Sequence, residues 1–148
     1  MAMTTALDQG LIRRRVFETW SIEIPETFTE TFVADDGYWH GYDAFRSVSM
    51  TSLLVFDPSG EAPLEELVHA FGILEGTPVA ETPSGLAGHA TIGPAIEPAR
   101  ASQILTGVLA THGRILLVTI TSDDLAWARR IWLSIRHLPE LEATSLVN

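Results

Sequence analysis

The run "ILLVTITSDDLAWARRIWLSIRHLP", Ile115–Pro139, decides the fold. Its first seven residues form the most apolar stretch of the chain. A run of that length reads as a strand in the middle of a sheet, buried on both faces. A helix is expected immediately after it. Ser122 can cap its N-terminus, Asp123 and Asp124 suit the positive end of the helix dipole, and Arg136 and His137 suit the negative end. Leu125, Ala128, Ile131, Trp132, Ile135 and Leu138 recur at helical spacing and form one buried stripe. Leu133 falls off that stripe and is a candidate contact residue. Pro139 stops the helix. A strand running directly into an amphipathic helix puts that helix back on the face of a sheet.

Working outward, "RASQILTGVLA" and the turn "THGR" make the preceding hairpin strand. "LEELVHAF" places Leu64, Leu67, Val68 and Phe71 at i, i+3, i+4 and i+7, one face of a short helix. "EGTPVAETPSG" reads as turn material, and "LAGHATI" as a weak strand. Towards the N-terminus, "VFETWSIEIP", "ETFTETFVAD", "YWHGYDA" and "FRSVSMTSLLVF" alternate as strands, with the first starting at Val16. The order is strands, helix, strands, helix. The expected fold is α+β: a mostly antiparallel sheet of about six or seven strands flanked by two or more helices. Residues 16–139 form one domain, with tails over 1–15 and 140–148.

The opening "WSIEIPETF" and the closing "GRILLVTITSDDLAWARRIWLSIRHL", with its "I-W-x-S-I" packing motif, resemble the PsbP-like superfamily. That superfamily includes the extrinsic PsbP subunit of photosystem II and a Ran-binding nuclear-transport factor. The resemblance implies a central antiparallel sheet with flanking helices, and a role in binding proteins rather than in catalysis.

Composition narrows the function classes. The 148 residues include 19 acids and nine arginines, with no lysine, for a net charge of −10. Such a surface repels phosphate backbones, so nucleic-acid binding is not expected. Between Arg46 and Arg100 there is no basic residue. This charge serves solubility, and its sharper reading is a basic protein partner, as for an inhibitor or chaperone of a basic client. No cysteine is present, which removes disulfides, cysteine–zinc sites and thiol nucleophiles. No membrane-spanning run and no apolar signal segment beside the N-terminal arginines can be read, so the expected location is cytoplasmic.

Catalytic chemistry leaves no trace in the spacing. His40, His69, His89, His112 and His137 form no paired metal motif. Ser59 and Ser84 lack the glycine two residues earlier that a nucleophile elbow needs. "GLAGHATIG" precedes no helix that could cradle phosphate. No catalytic residue, metal or cofactor is therefore assigned. A small-molecule site or a hydrolase pocket between sheet and helix is the alternative.

The hairpin "FVADDGYWHGYDAF", Phe32–Phe45, holds the candidate surface. "DG" at Asp36–Gly37 reads as a two-residue turn, which pairs Phe32 with Gly41 and Val33 with His40. Alternation then sends Phe28, Phe32, Ala34, Trp39 and Gly41 to a core face, small Gly41 leaving room for Phe32. Thr29, Thr31, Val33, Tyr38, His40 and Tyr42 share the other face. Aromatic rings with polar ends suit a protein contact. Tyr38, His40, Tyr42 and Leu133 are the candidate contact residues, towards a protein partner or a second copy of the chain.

Overall fold

The computed structural model describes residues 10–33, 37–55, 63–71, 75–94, 103–111 and 113–138. Asp35, Asp36, Ser59, His112 and the segments 1–9 and 139–148 lie outside the described residues. The strands are β1 (Leu11–Val16), β2 (Trp20–Pro25), β3 (Thr29–Val33), β4 (Tyr38–Tyr42) and β5 (Ser47–Leu54). Helix α1 (Leu64–Phe71) follows, then β6 (Thr77–Pro78), β7 (Ala87–Pro94), β8 (Gln103–Thr111) and β9 (Arg114–Ser122). Helix α2 (Leu125–Leu133) and the short β10 (Arg136–His137) complete the described chain. Seven strands form one sheet in the order β3-β4-β5-β9-β8-β7-β6, and β1-β2-β10 form a second. Every pairing is antiparallel. The expected α+β architecture is the observed one.

The main core lies between one face of the large sheet and the layer made by α2 and the small sheet. Trp39, Met50, Val118 and Ala90 occupy one cross-strand row there, with Gly107 between Val118 and Ala90. Trp132 from α2 sits over that glycine: an added Cβ at 107 would meet its ring carbon Cζ3 at 2.5 Å. Trp132, Ile131 and Ile135 are fully buried. Ser134 completes the motif. Its hydroxyl donates to the Ile131 carbonyl at 2.6 Å and accepts from the Glu23 backbone N–H at 3.0 Å, stitching the helix end to β2. A smaller core lies under α1, where Val68 packs with Val108, Ala110 and Ile115 on the opposite sheet face.

Several local expectations change. Residues 11–15, expected in the tail, belong to β1, which pairs along its whole length with β2. The arginines misled because an edge strand tolerates charge: Arg13, Arg14 and Arg15 are all exposed. Within "VFETW", residues Phe17–Thr19 are therefore a turn between two strands, with Phe17 and Glu18 both at positive φ (57° and 66°). β9 is central and is buried on both faces at Ile115 and Leu116, but from Leu117 to Ser122 it alternates half-buried and buried residues. It also runs on to Ser122, which pairs with Gln103. The helix cap consequently moves to Asp124, whose carboxylate accepts from the Trp127 N–H at 3.1 Å. Ser122 accepts instead from the Asp124 N–H. The last helix ends at Leu133, so Arg136 and His137 lie in β10. Phe71, expected on the buried stripe of α1, is 41% exposed at its end. "TP" at 77–78, read as turn, is the far edge strand β6.

Candidate functional site

The β3–β4 hairpin has the expected faces and a different register. Phe32 pairs with Trp39 and Val33 with Tyr38, so the connection is four residues long. The shift from the expected pairing is two positions, and two positions preserve the alternation. Trp39 is buried as expected, but Phe32 is 51% exposed. β3 is the last strand of the sheet, and Phe32 packs there on Phe17, at 5.6 Å between ring centroids. Gly41 makes room for Trp39 and Phe28 rather than for Phe32: a Cβ there would meet Trp39 Cη2 at 2.7 Å and Phe28 Cδ2 at 3.0 Å. Glu30 holds this edge. Its carboxylate accepts from Trp39 Nε1 at 3.0 Å and pairs with Arg14 at 3.0 Å.

Tyr38, His40 and Tyr42 stand on the opposite face, as alternation requires. His40 stacks on Tyr42 at 4.9 Å, and Tyr38 lies 6.3 Å from His40. The Tyr38 hydroxyl donates to the Ser49 hydroxyl at 3.4 Å. Around this aromatic column the sheet presents hydroxyls. Thr31, His40, Ser49, Thr119 and Thr106 fall in one row across five strands, and the row continues into the buried Thr91 on β7. A second row runs through Thr29, Tyr42, Ser47, Thr121 and Ile104. Helix α1 covers the end of this face near Leu53, Ile115 and Ala110, away from both rows. From β3 to β8 no strand residue on this face is Asp, Glu or Arg. On a chain of net charge −10 this is a broad uncharged patch. His40 is its one titratable imidazole in these two rows, and burial lowers its pKa from 6.5, favouring the neutral ring.

The hairpin's acid is occupied elsewhere. The Asp43 carboxylate accepts from the Phe45 and Arg46 N–H groups, both at 2.8 Å, and from Arg46 Nη2 at 2.8 Å. Burial works to raise its pKa, but the Arg46 side chain, these N–H groups and the Arg46 charge together hold it below 3.8. The Arg46 guanidinium also covers the Trp127 ring at 4.6 Å. Asp43 is thus a turn and packing residue.

Leu133 is not brought to the tyrosines. It is half-buried on α2, on the other side of the large sheet. It lines a shallow bowl of about 530 Å³ with Arg13, Arg129, Arg130 and Arg136, a cluster that sequence reading missed. The place for a small molecule between sheet and helix is an open groove of about 400 Å³ between α1 and β7. Glu65, His69 and His89 line it, with Val68 and Leu86. No group of three or more metal-binding side chains gathers among the described residues. His137 packs its ring on Trp20 at 4.7 Å, and burial, then the Arg114 charge, lowers its pKa from 6.5.

No family model and no curated protein matches this chain. Solved structures do. A protein from Bacteroides thetaiotaomicron VPI-5482 superposes with a TM-score of 0.58 at 9% identity, covering 82% of this chain and 46% of that one. This chain therefore spans just under half of that protein's length. Cyanobacterial PsbP (CyanoP) from Synechocystis sp. PCC 6803 superposes with a TM-score of 0.57 at 10% identity, covering 86% of this chain and 92% of that one. At such identities the likeness shows the fold alone.

Proposed function

Starting from a PsbP-like fold, we propose that this chain is a non-catalytic, cytoplasmic accessory module that docks on another protein through its open sheet face. The observation that carries the reading is the uncharged field of hydroxyls around Tyr38, His40 and Tyr42. Interface centres are depleted of charge and enriched in tyrosine, and this face shares both properties on an otherwise strongly acidic chain. The partner is a folded protein with a flat, polar surface, which suits short hydroxyl side chains spread over neighbouring strands around one aromatic column. A net charge of −10 adds long-range attraction to a partner whose remaining surface is basic. The reading rests on this face and not on the fold, since function resides in sites and not in architecture.

The test uses the Tyr38→Ala/Tyr42→Ala double variant. Partners recovered from the native host by the wild-type chain should be lost, or a wild-type dimer should dissociate in sedimentation. Glu66→Gln, on the exposed side of α1, should change neither. Unchanged partners together with an unchanged oligomeric state in the tyrosine variant would remove the proposal.

A second reading rests on the groove beside His69 and His89, which would accept a small molecule. Ligand-dependent NMR shifts confined to Val68, Leu86 and Ala87 would favour it over the sheet face.

A further inference from the structure

We propose that the arginine bowl at the end of α2 is a second binding site, specific for an acidic peptide segment that also carries an apolar side chain. Three separate elements build it. Ala126, Arg129, Arg130 and Leu133 lie at i, i+3, i+4 and i+7, the outward stripe of α2, opposite buried Trp127, Ala128, Ile131 and Trp132. Arg136 follows from β10 and Arg13 reaches in from β1. Four of the chain's nine arginines therefore converge on one concave surface of a protein with a net charge of −10. The two carboxylates that line it, Glu23 and Glu81, are outnumbered two to one.

The helix dipole accounts for only part of this. A cation near a helix C-terminus is favourable, which covers Arg130 in the last turn. It does not account for Arg13, which comes from β1 of the small sheet, or for Arg136, which lies beyond the helix in β10 of the same sheet. Arg13 is also fixed in place. Its Nη1 donates to the Ser134 carbonyl at 2.8 Å and to the Ser21 hydroxyl at 3.0 Å, and its Nη2 pairs with Glu23 at 3.2 Å. It forms a rigid wall, while Arg129 and Arg136 are exposed on the rim. Guanidinium groups offer paired N–H donors that match carboxylates, and several in one concavity select a cluster of them.

The floor distinguishes a peptide from other polyanions. Half-buried Leu133 and the Ala126 methyl group give an apolar patch between the charges. A phosphate chain has no group to place there, whereas a peptide alternating glutamate with leucine does. A dense polyanion is further opposed by the net charge of the whole protein.

The test is fluorescence anisotropy of the full chain with a labelled peptide of alternating glutamate and leucine. Binding should weaken as salt is raised, because the attraction is between exposed charges. Arg129→Gln/Arg136→Gln should weaken it roughly tenfold, two exposed ion pairs each being worth about threefold. Leu133→Ser should weaken it as well, whereas a peptide alternating glutamate with serine should be insensitive to that change. Arg114→Gln, outside the bowl, should leave binding as it is. Absence of peptide binding at low salt would overturn the proposal, as would equal binding by the double variant and Arg114→Gln. Equal or tighter binding of inorganic phosphate or of a short single-stranded oligonucleotide would also overturn it, by showing a general anion site.

Discussion

Gly107→Ala tests the packing logic of the whole domain with one methyl group. The new Cβ would lie 2.5, 2.7 and 3.1 Å from Cζ3, Cη2 and Cε3 of Trp132. Comfortable carbon contacts are about 3.5–4.0 Å, so the ring must retreat by about 1 Å. It has nowhere to go: Trp132 is fully buried, and its Nε1 donates to the Glu81 carbonyl at 3.0 Å. Overpacking of this kind costs about 1–3 kcal/mol, and losing the indole hydrogen bond adds about 1 kcal/mol. Removing a glycine from the unfolded chain returns about 0.4–1 kcal/mol. The net expectation is a loss of about 1.5–3 kcal/mol, or a melting temperature lowered by roughly 3–10 °C in a domain of this size. Gly93→Ala is the control, because a Cβ there meets nothing within 4 Å. Urea unfolding of both variants, and of Gly107→Ala in a Trp132→Leu background, forms the assay. The penalty at 107 should largely vanish once the indole is gone, giving a coupling of about 1 kcal/mol or more. If Gly107→Ala and Gly93→Ala match within about 0.5 kcal/mol, the close approach of helix and sheet is wrong as described.

Three other outcomes follow from the contacts. Arg46→Ala removes both the Asp43 ion pair and the guanidinium over Trp127, and should cost about 1–2 kcal/mol in chemical unfolding, with Arg46→Lys recovering less than half. Ser134→Ala leaves the Glu23 N–H without its acceptor and should cost about 1–3 kcal/mol, whereas Ser134→Thr should keep much of the bond. Folding depresses the pKa values of His40 and His137 below 6.5, so the unfolded chain binds more protons just below that pH. Their stabilising contribution is thus complete above 6.5 and is lost as pH falls towards the folded values. The urea midpoint should fall between about pH 7.5 and about pH 5.5, and His40→Gln/His137→Gln should flatten that slope.

Much of the architecture is legible in the sequence because alternation and helical spacing survive small errors. The β3–β4 pairing expected from "DG" is two positions away from the real one, yet Tyr38, His40 and Tyr42 emerge on the right face because strand sides repeat every two residues. What the pattern lacks is position within the sheet. Phe32 has core parity but belongs to the outermost strand, beyond the reach of α2, and so it is exposed. The three arginines of β1 look like the end of a tail for the same reason, since an edge strand can wet both faces. The spacing after Leu133 continues to look helical, and only a contact with Glu23, 111 residues away, shows why the chain turns at Ser134. The arginine bowl was hidden likewise, because Arg13 joins Arg129, Arg130 and Arg136 only after the small sheet has assembled.

The small sheet also governs how the chain can mature. β1 and β2 are neighbours in sequence and can form their hairpin early, but β10 closes that sheet through Ser21 and Trp20 only after more than a hundred further residues have been made. Until then Trp20, Ile22 and Ile24, all fully buried in the finished domain, have no helix to cover them. Before α2 and β10 are in place, the N-terminal hairpin is therefore an apolar surface without its cover. A chain cut before Trp132 would keep this surface open, so residues near one end of the domain close the core begun at the other.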